Sequence, residues 1–399
     1  MAKVKDTKPV KTEQTLAEKL SLIDKISKEV NEKAGKVIVG RLSNSPEIMD
    51  KLTIKFIPSV CFDFNEATGG GYPRSRCTLI SGNPDSGKTA RCLEDIGYNM
   101  KDKSFTALWI ESEQSLDKQM VCDVFKIDPE RFVFINYDAN KGAEGILDIL
   151  YGFMTAVKFD MVVINSLKCL VPTKILEEAM DAQTPAVQAR LWSRMVSKFL
   201  ALVANSETAF ILITHLYTGI GTYGSPQVIS GGSAIRYWSS LTLSFAQKTI
   251  GAGEPISKEE GVHIAVSIKK NHCVPDRLPY KKFDYYAIFG EGTERILTAV
   301  KLLVTAGIMS VSGSSYVIYN EDGSEFKKFI GKNKYRQFMI DNPDIFEELM
   351  KRLQSVIPVI STVTDMSDEE VSSIQQEEEE ILESVKDLQL VTTVESPRL

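Results

Sequence analysis

Residues 77–89 read Cys77-Thr-Leu-Ile-Ser81 and then, without a break, Gly82-Asn83-Pro84-Asp85-Ser86-Gly87-Lys88-Thr89. The first five are a short apolar run of the kind that forms a buried strand, and the next eight satisfy the pattern GxxxxGK[ST] just before a helical periodicity begins. In a strand–loop–helix context, glycines let successive backbone N–H groups turn inward onto phosphate oxygens, and the helix N-terminus adds a favourable dipole. Lys88 then reaches the β- and γ-phosphates, and the Thr89 hydroxyl is placed to take Mg²⁺. The stretch predicts a nucleoside triphosphate site made by Gly82, Asn83, Pro84, Asp85, Ser86, Gly87, Lys88 and Thr89.

Working outward, similar apolar runs recur at Thr106–Ile110, Phe132–Ile135, Met161–Ile164, Phe210–Ile213 and Val262–Ile268, separated by helical patterns. Continuous apolar strands between helices argue an α/β fold with a mostly parallel sheet covered on both faces. From about residue 293 the pattern changes to a helix from Arg295, a strand Ser315–Tyr319 and a helix after Asn342-Pro343. At the other end, Thr15-Leu-Ala-Glu18 has the form of a capping box, followed by apolar residues at helical spacing and a stop at Gly35. A short strand is expected over Lys36–Leu42. One helix and one strand cannot bury a core, so this segment packs either on its own chain or on a neighbouring subunit. The divisions expected are 1–45, an N-terminal helix and strand for oligomerisation; 46–292, the main α/β core; 293–360, a small C-terminal α/β lobe; and 361–399, an acidic disordered tail.

The chain has 399 residues, 43% hydrophobic and 25% charged, which excludes collagenous, disulfide-scaffold and disordered classes. No apolar run approaches the length of a membrane helix, and the lysine-rich start is followed by no apolar segment of a secretory signal. Six scattered cysteines without a CxxC pair read as reduced thiols of a cytoplasmic protein, not as a zinc site. The net charge of −6 conceals an uneven distribution: from Asp365 onward eleven acidic and two basic side chains leave residues 1–364 at +3. With no basic footprint across a whole domain, any nucleic-acid contact rests on local loops.

A second strand carries chemistry at its end. Trp109-Ile-Glu-Ser-Glu113 places Glu113 just beyond the strand's C-terminus, where α/β sheets bind ligands and where a carboxylate can deprotonate an attacking water. An NKxD guanine-recognition motif is absent. The ordered set of Asp63–Pro73, the phosphate loop, Ile110–Asp117, Phe159–Ser166, Ser230–Trp238, Ile268–His272 and Phe289–Gly292 resembles the RecA family of homologous recombinases, including its phage UvsX-type members. The resemblance covers about residues 15–355 and implies a RecA-like P-loop ATPase core that uses ATP and Mg²⁺. Position by position, it implies that Glu113 is the catalytic glutamate, Asp117 contacts adenine and Phe289 packs on the base. His215 matches the polar residue that senses the γ-phosphate. Lys270 and His272 match the two groups that a neighbouring subunit directs at that phosphate; in the main bacterial family both are lysines. One departure stands out, because the family's Walker B aspartate falls on Asn165. An amide oxygen can still accept from a magnesium-bound water, but it brings no charge. Weaker metal retention and slower turnover are the consequence expected.

Two irregular segments interrupt the core. The first, about Glu177–Val187, leads into a helix on which Arg190, Arg194 and Lys198 recur every four residues. The second, Tyr217–Ser230, is rich in glycine and aromatic residues, able to cradle a backbone and to offer Tyr217 or Tyr223 to bases. Their places match the family's two DNA-binding loops, which implies DNA contacts by Arg190, Ser193, Arg194, Tyr217, Tyr223, Gly231, Gly232 and Arg236. The acidic tail resembles the family's regulatory tail. The function expected is an ATP-dependent DNA recombinase that forms a helical filament on single-stranded DNA and exchanges strands with duplex DNA. Two rival readings stay open: a hexameric RecA-fold helicase, and a non-hydrolysing ATP-switched DNA-binding filament. A single-strand-binding protein and a loader are further partners the resemblance allows. No membrane association is expected, and the compartment is cytoplasmic, the host's if the source is a phage.

Overall fold

The computed structural model describes residues 15–179, 187–218, 227–229, 232–251, 253–274 and 281–356. The helices are α1 (Leu16–Ala34), α2 (Pro46–Leu52), α3 (Phe62–Thr68), α4 (Lys88–Asn99), α5 (Gly142–Ala156), α6 (Thr173–Glu177), α7 (Val187–Ala204), α8 (Gly232–Trp238), α9 (Arg295–Thr305), α10 (Lys332–Asp341) and α11 (Pro343–Val356). The strands are β1 (Phe56–Ile57), β2 (Tyr72–Pro73), β3 (Arg76–Gly82), β4 (Ala107–Glu111), β5 (Phe132–Asn136), β6 (Met161–Asn165) and β7 (Ala209–Thr218). They continue with β8 (Gln227–Ile229), β9 (Leu241–Lys248), β10 (Gly261–Asn271), β11 (Lys282–Ile288), β12 (Gly292–Thr293), β13 (Met309–Ser312), β14 (Ser315–Tyr319) and β15 (Glu325–Ile330).

The central sheet runs in the order β12-β11-β10-β9-β3-β7-β6-β4-β5, with β8 paired to β7. From β9 to β5 the neighbours are parallel, while β10, β11 and β12 extend the edge antiparallel. Strand alternation divides the apolar residues between two cores. Ile80, Trp109, Val163, Ile211 and Leu243 face the side that holds Cys92, Leu93 and Ile96 of α4. Leu79, Leu108, Ile110, Val162, Ile164 and Leu212 face α5 and α7. That two-sided burial is why the strands read as unbroken apolar runs. All six cysteines are free thiols, four of them buried in this apolar packing. No helix among the described residues is long and apolar enough to cross a membrane.

At the N-terminus the capping box forms as its sequence predicts: Thr15 Oγ1 accepts from Glu18 N–H at 3.3 Å, and Glu18 Oε2 accepts from Thr15 N–H at 2.8 Å. Gly35 ends the helix at φ 64°, a left-handed conformation suited to glycine. The strand expected over Lys36–Leu42 does not form. The segment pairs with no strand of the described chain and turns into a 3-10 helix at Leu42; the Asn31 side chain takes the N–H groups of Ile38 and Val39 and the carbonyl of Val39. Arg41 pairs with Asp24 of α1. Little of α1 is buried, and Leu16, Leu22, Ile23, Ile26 and Val30 stay exposed, as do Ile38, Val39 and Leu42.

The C-terminal segment folds as a three-stranded antiparallel meander, β13-β14-β15, against α9, α10 and α11, around Leu303, Ile318, Tyr335, Met339 and Leu349. Phe62 of α3 joins this cluster, and Glu66 of α3 pairs with Lys301 of α9 at 2.5 Å. Beside them, burial pushes the Asp63 carboxyl up to about 7, with Lys301 opposing the shift and Glu66 and Asp284 adding to it. In the unfolded chain an aspartate titrates near 4 (about 3.9), so this group costs stability progressively as pH rises from about 4 to 7. Asp63→Asn removes that cost. Its melting temperature should equal the native value near pH 4 and exceed it by roughly 3 °C or more near pH 8. A gap that does not widen with pH would show that the carboxyl is not held up by burial.

Candidate nucleotide site and nucleic-acid interface

Sheet register assembles the site. β3 and β7 pair so that Gly82 lies opposite His215, and β4 and β6 pair so that Glu111 lies opposite Asn165. The C-terminal ends of four neighbouring parallel strands therefore meet at the phosphate loop. Gly82 is required by close approach, since a Cβ there would stand 2.5 Å from the Phe245 carbonyl oxygen of β9. Asp85 at φ 59° and Gly87 at φ 83° give the loop two left-handed residues, the kind of conformation that turns backbone N–H groups toward one point. Asn83, Pro84 and Asp85 form its exposed crest. Lys88, at the start of α4, is buried and folds back so that Nζ donates to the Asn83 carbonyl at 2.6 Å and to Ser86 Oγ at 3.3 Å. Burial lowers its pKa, with Glu113 and Asp85 opposing the shift. A bound phosphate would reverse that penalty by giving the ammonium an anion.

Next to Lys88, Thr89 Oγ1 lies 3.3 Å from Asn165 Oδ1 at the end of β6. These are hard, neutral oxygen donors beside a phosphate loop, the donor type Mg²⁺ accepts when phosphates and waters complete its shell, so the pair fits the ion. Behind Asn165 stands a carboxylate that the sequence reading did not single out: Asn165 Nδ2 donates to Glu111 Oε2 at 2.9 Å. Glu113, two residues on, is half-buried, and its Oε1 accepts from His215 Nε2 at 2.6 Å and from the Ser166 hydroxyl. Ser166 and Ser112 are likewise new to the site; Ser112 Oγ bridges the strand ends by donating to the Asn165 and Ser166 carbonyls at 3.0 Å. Glu111, Ser112 and Ser166 carry no motif of their own, and only the folded register shows them as neighbours.

Lys88, Thr89, Asn165, Glu113 and His215 thus come together. Asp117 is exposed, and its side chain accepts from Met120 N–H at 2.8 Å. Phe289 is 60% exposed at the turn after β11, a turn tied to α4 because Thr293 N–H donates to Glu94 Oε1 at 2.7 Å. Among the described residues no hydrogen bond joins Asp117 or Phe289 to the loop. Lys270 and His272 lie apart from the cluster. Lys270 pairs with Thr242 of β9, which pairs with Leu79 of β3, three residues before Gly82. That is about 10 Å back along the strand from the phosphate loop. There Lys270 Nζ caps α8, donating to the carbonyls of Arg236 and Tyr237 at 3.0 and 3.1 Å.

On the nucleic-acid side, α7 exposes Arg190, Ser193, Arg194 and Lys198, the last paired with Asp148 at 2.9 Å. Gly232 opens α8 at φ 74° and packs close to α7, with its Cβ position 3.5 Å from Ala189 Cβ. Arg236 of α8 is exposed. The segment expected to be irregular from Tyr217 is in part a hairpin, because Tyr217 and Thr218 end β7 and pair with Val228 and Gln227 of β8. Tyr223 and Gly231 lie outside the described residues, as do residues 180–186 of the first segment and the acidic tail. The N-terminal half of α7 and the start of α8 are therefore adjacent, and α7 and α8 together carry most of the described residues expected to face DNA, namely Arg190, Ser193, Arg194, Gly232 and Arg236.

The Glu113 geometry gives a direct test. Glu113→Gln keeps the size and hydrogen bonding of the side chain and removes its basicity. ATP binding should persist while turnover falls by roughly 10²-fold or more, the scale of a general base. Equal loss of binding and turnover would make Glu113 structural.

Known proteins resemble the chain over most of its length. The family model of the RecA N-terminal domain matches residues 21–294. Protein RecA of Thermotoga maritima is 28% identical over 365 residues, covering 90% of this chain and 98% of the relative. Protein RecA of Thermus aquaticus is 28% identical over 331 residues, 82% of this chain and 91% of the relative. Protein RecA of Aquifex pyrophilus is 26% identical over 356 residues, 89% and 97% respectively. The chain belongs to the RecA family, the DNA recombinases of homologous recombination and repair, which as a family bind ATP with Mg²⁺ and form filaments on DNA.

Proposed function

We propose that this chain is a DNA-dependent ATPase that assembles as a helical filament on single-stranded DNA and exchanges strands with homologous duplex. The observation that carries the reading is the convergence of Lys88, Thr89, Asn165, Glu113 and His215 at the ends of adjacent parallel strands. Residues 82–89 hold the triphosphate, and Asp117 and Phe289 receive the adenine. Mg²⁺, when bound, offsets phosphate charge. Glu113 orients and deprotonates the attacking water, and His215 reports the γ-phosphate to the segment that follows β7. Arg190, Ser193, Arg194, Gly232 and Arg236, with Tyr217, Tyr223 and Gly231, form the DNA-facing surface.

Assembly follows from two features of the protomer. The apolar residues of α1 and of Ile38–Leu42 have too little of their own chain to cover them, which supports a neighbouring subunit as their partner. Lys270 and His272 stand well behind their own phosphate loop, which supports action on a neighbour's γ-phosphate. On this reading residues 1–45 join subunits, 46–292 form the catalytic core and 293–360 the appended lobe, in a cytoplasmic protein that works alongside a single-strand-binding protein and a loader. A closed helicase ring lacks any comparable support in the chain.

ATP hydrolysis with and without single-stranded DNA, run beside a strand-exchange assay, tests the whole. DNA-stimulated hydrolysis with exchange is expected. Binding of ATP and DNA without hydrolysis would instead establish the switched filament. The shared site has its own test. Lys88→Ala subunits and Lys270→Ala subunits should each be deficient in DNA-stimulated hydrolysis, and mixing them should restore part of it, because some interfaces then pair an intact loop with an intact lysine. No rescue at any ratio, with filaments seen by microscopy, would place Lys270 outside the neighbour's site.

A further inference from the structure

We propose that Glu111 is the positioning residue of the metal site, supplying through the Asn165 side chain the negative charge that Asn165 itself lacks. The inference rests on the nucleotide reading above and names a residue to which that reading gives no part.

Asn165, taken alone, is a poor magnesium residue, for its amide is neutral and its two ends are opposite in character. If the NH₂ end faced Thr89, it would present donors to a cation. The structure settles the orientation. Glu111 Oε2 accepts from Asn165 Nδ2 at 2.9 Å, so Asn165 Oδ1 faces Thr89 Oγ1 at 3.3 Å. Glu111 is held from every side by donors. Oε2 also accepts from Trp109 Nε1 at 2.9 Å, while Oε1 accepts from Glu113 N–H at 2.9 Å and from Ser115 N–H and Oγ at 3.4 Å. Both oxygens act only as acceptors, as a carboxylate anion does.

Burial makes the charge count. Glu111 is 2% exposed and Asn165 fully buried, so water does not screen the carboxylate from the amide it polarises. A carboxylate at the NH₂ end makes the far oxygen a better acceptor, and the chain Glu111–Asn165–Thr89 leads to the site of the ion. The anion that a Walker B aspartate would place at the end of β6 is set one strand over, at the end of β4, paired in register with Asn165. Because Glu111 also holds the Glu113 backbone, loss of turnover in a Glu111 variant cannot by itself separate the two roles. Metal dependence of binding can.

The test is the Mg²⁺ concentration at half-maximal binding of a fluorescent ATP analogue to the full-length protein, each variant first shown by circular dichroism to be folded. In Glu111→Gln the glutamine amide meets donors on both sides, and the midpoint should rise about tenfold. The double variant Glu111→Gln with Asn165→Asp transposes amide and carboxylate, and its midpoint should return to within about threefold of native. A folded Glu111→Gln protein whose midpoint moves less than about threefold overturns the proposal. So does a double variant that fails to fold or to recover. If Glu111→Gln alone does not fold, the transposed variant decides. A merely structural Glu111 predicts no change of midpoint in the folded single variant, because its charge then does not reach the ion. Native protein that shows no ATP binding at any Mg²⁺ concentration would sink the nucleotide reading instead, which keeps the two failures distinct.

Discussion

A slip of one residue between β3 and β7 would move Gly82 off His215 and turn every side chain of one strand to the opposite face, so the nucleotide site depends on the parallel register of β3, β7, β6 and β4. The register is secured by burial on both faces. Leu79 and Ile80 enter different cores, as do Val162 and Val163, and Leu108 and Trp109, so a slipped strand would mismatch both layers at once. The same constraint sets Glu111 beside Asn165 and lets the residues just beyond the strand ends meet. Glu113 and Ser166 follow β4 and β6 directly and His215 lies within the longer β7, yet they touch because the register brings them to one level.

Helix α4 must also be fixed, since it carries Lys88 and Thr89. Its anchor is polar. Arg91 is buried against Asp95 of the next turn and also reaches Ser59 Oγ, Glu94 and Thr293, with its guanidinium 5.0 Å from the Tyr285 ring centroid. Asp95 in turn accepts from Ser59 Oγ, Val60 N–H and Tyr72 OH at 2.8 to 2.9 Å. Removing one member of such a buried pair costs about 3–5 kcal/mol. An apolar replacement could stabilise the helix equally well. What the network adds is direction: it ties α4 to the chain entering the sheet at Ser59 and to the turn at Thr293 that presents Phe289.

The phosphate loop and the strands were legible because their signals are local. Eight consecutive residues specify the loop, and burial on both faces writes each central strand as an apolar run. Glu111 lies just past the strand expected to end at Ile110 and was not legible as part of a site, since its role comes from Asn165, 54 residues away. The family resemblance brought Asn165, His215 and Lys270 into view, but not the contacts that define them. Lys36–Leu42 misled for a related reason. Its Val-Ile-Val pattern has β-propensity, but a strand needs a partner, and Asn31 satisfies the polar groups a partner strand would have used. The exposed apolar side chains of that segment fit the contact with a neighbouring subunit proposed above.

The proposed contact between subunits would also give α8 its significance. This helix has only seven residues, too short to hold itself, and both its ends are tied to functional elements. At its start Gly232 lies against Ala189 of α7, beside Arg190, and at its end Lys270 donates to the carbonyls of Arg236 and Tyr237. A cation at a helix C-terminus contributes about 0.5 kcal/mol, so the ammonium is held, but weakly enough to be drawn away by a phosphate. On the proposed reading, a neighbour's γ-phosphate competes with the end of α8 for Lys270. On the same reading DNA meets this helix at Gly232 and at the exposed Arg236 side chain. A displacement at either end is carried along a rigid element of two turns. On the proposed reading DNA and nucleotide need no direct contact to influence one another, because one short helix would meet both.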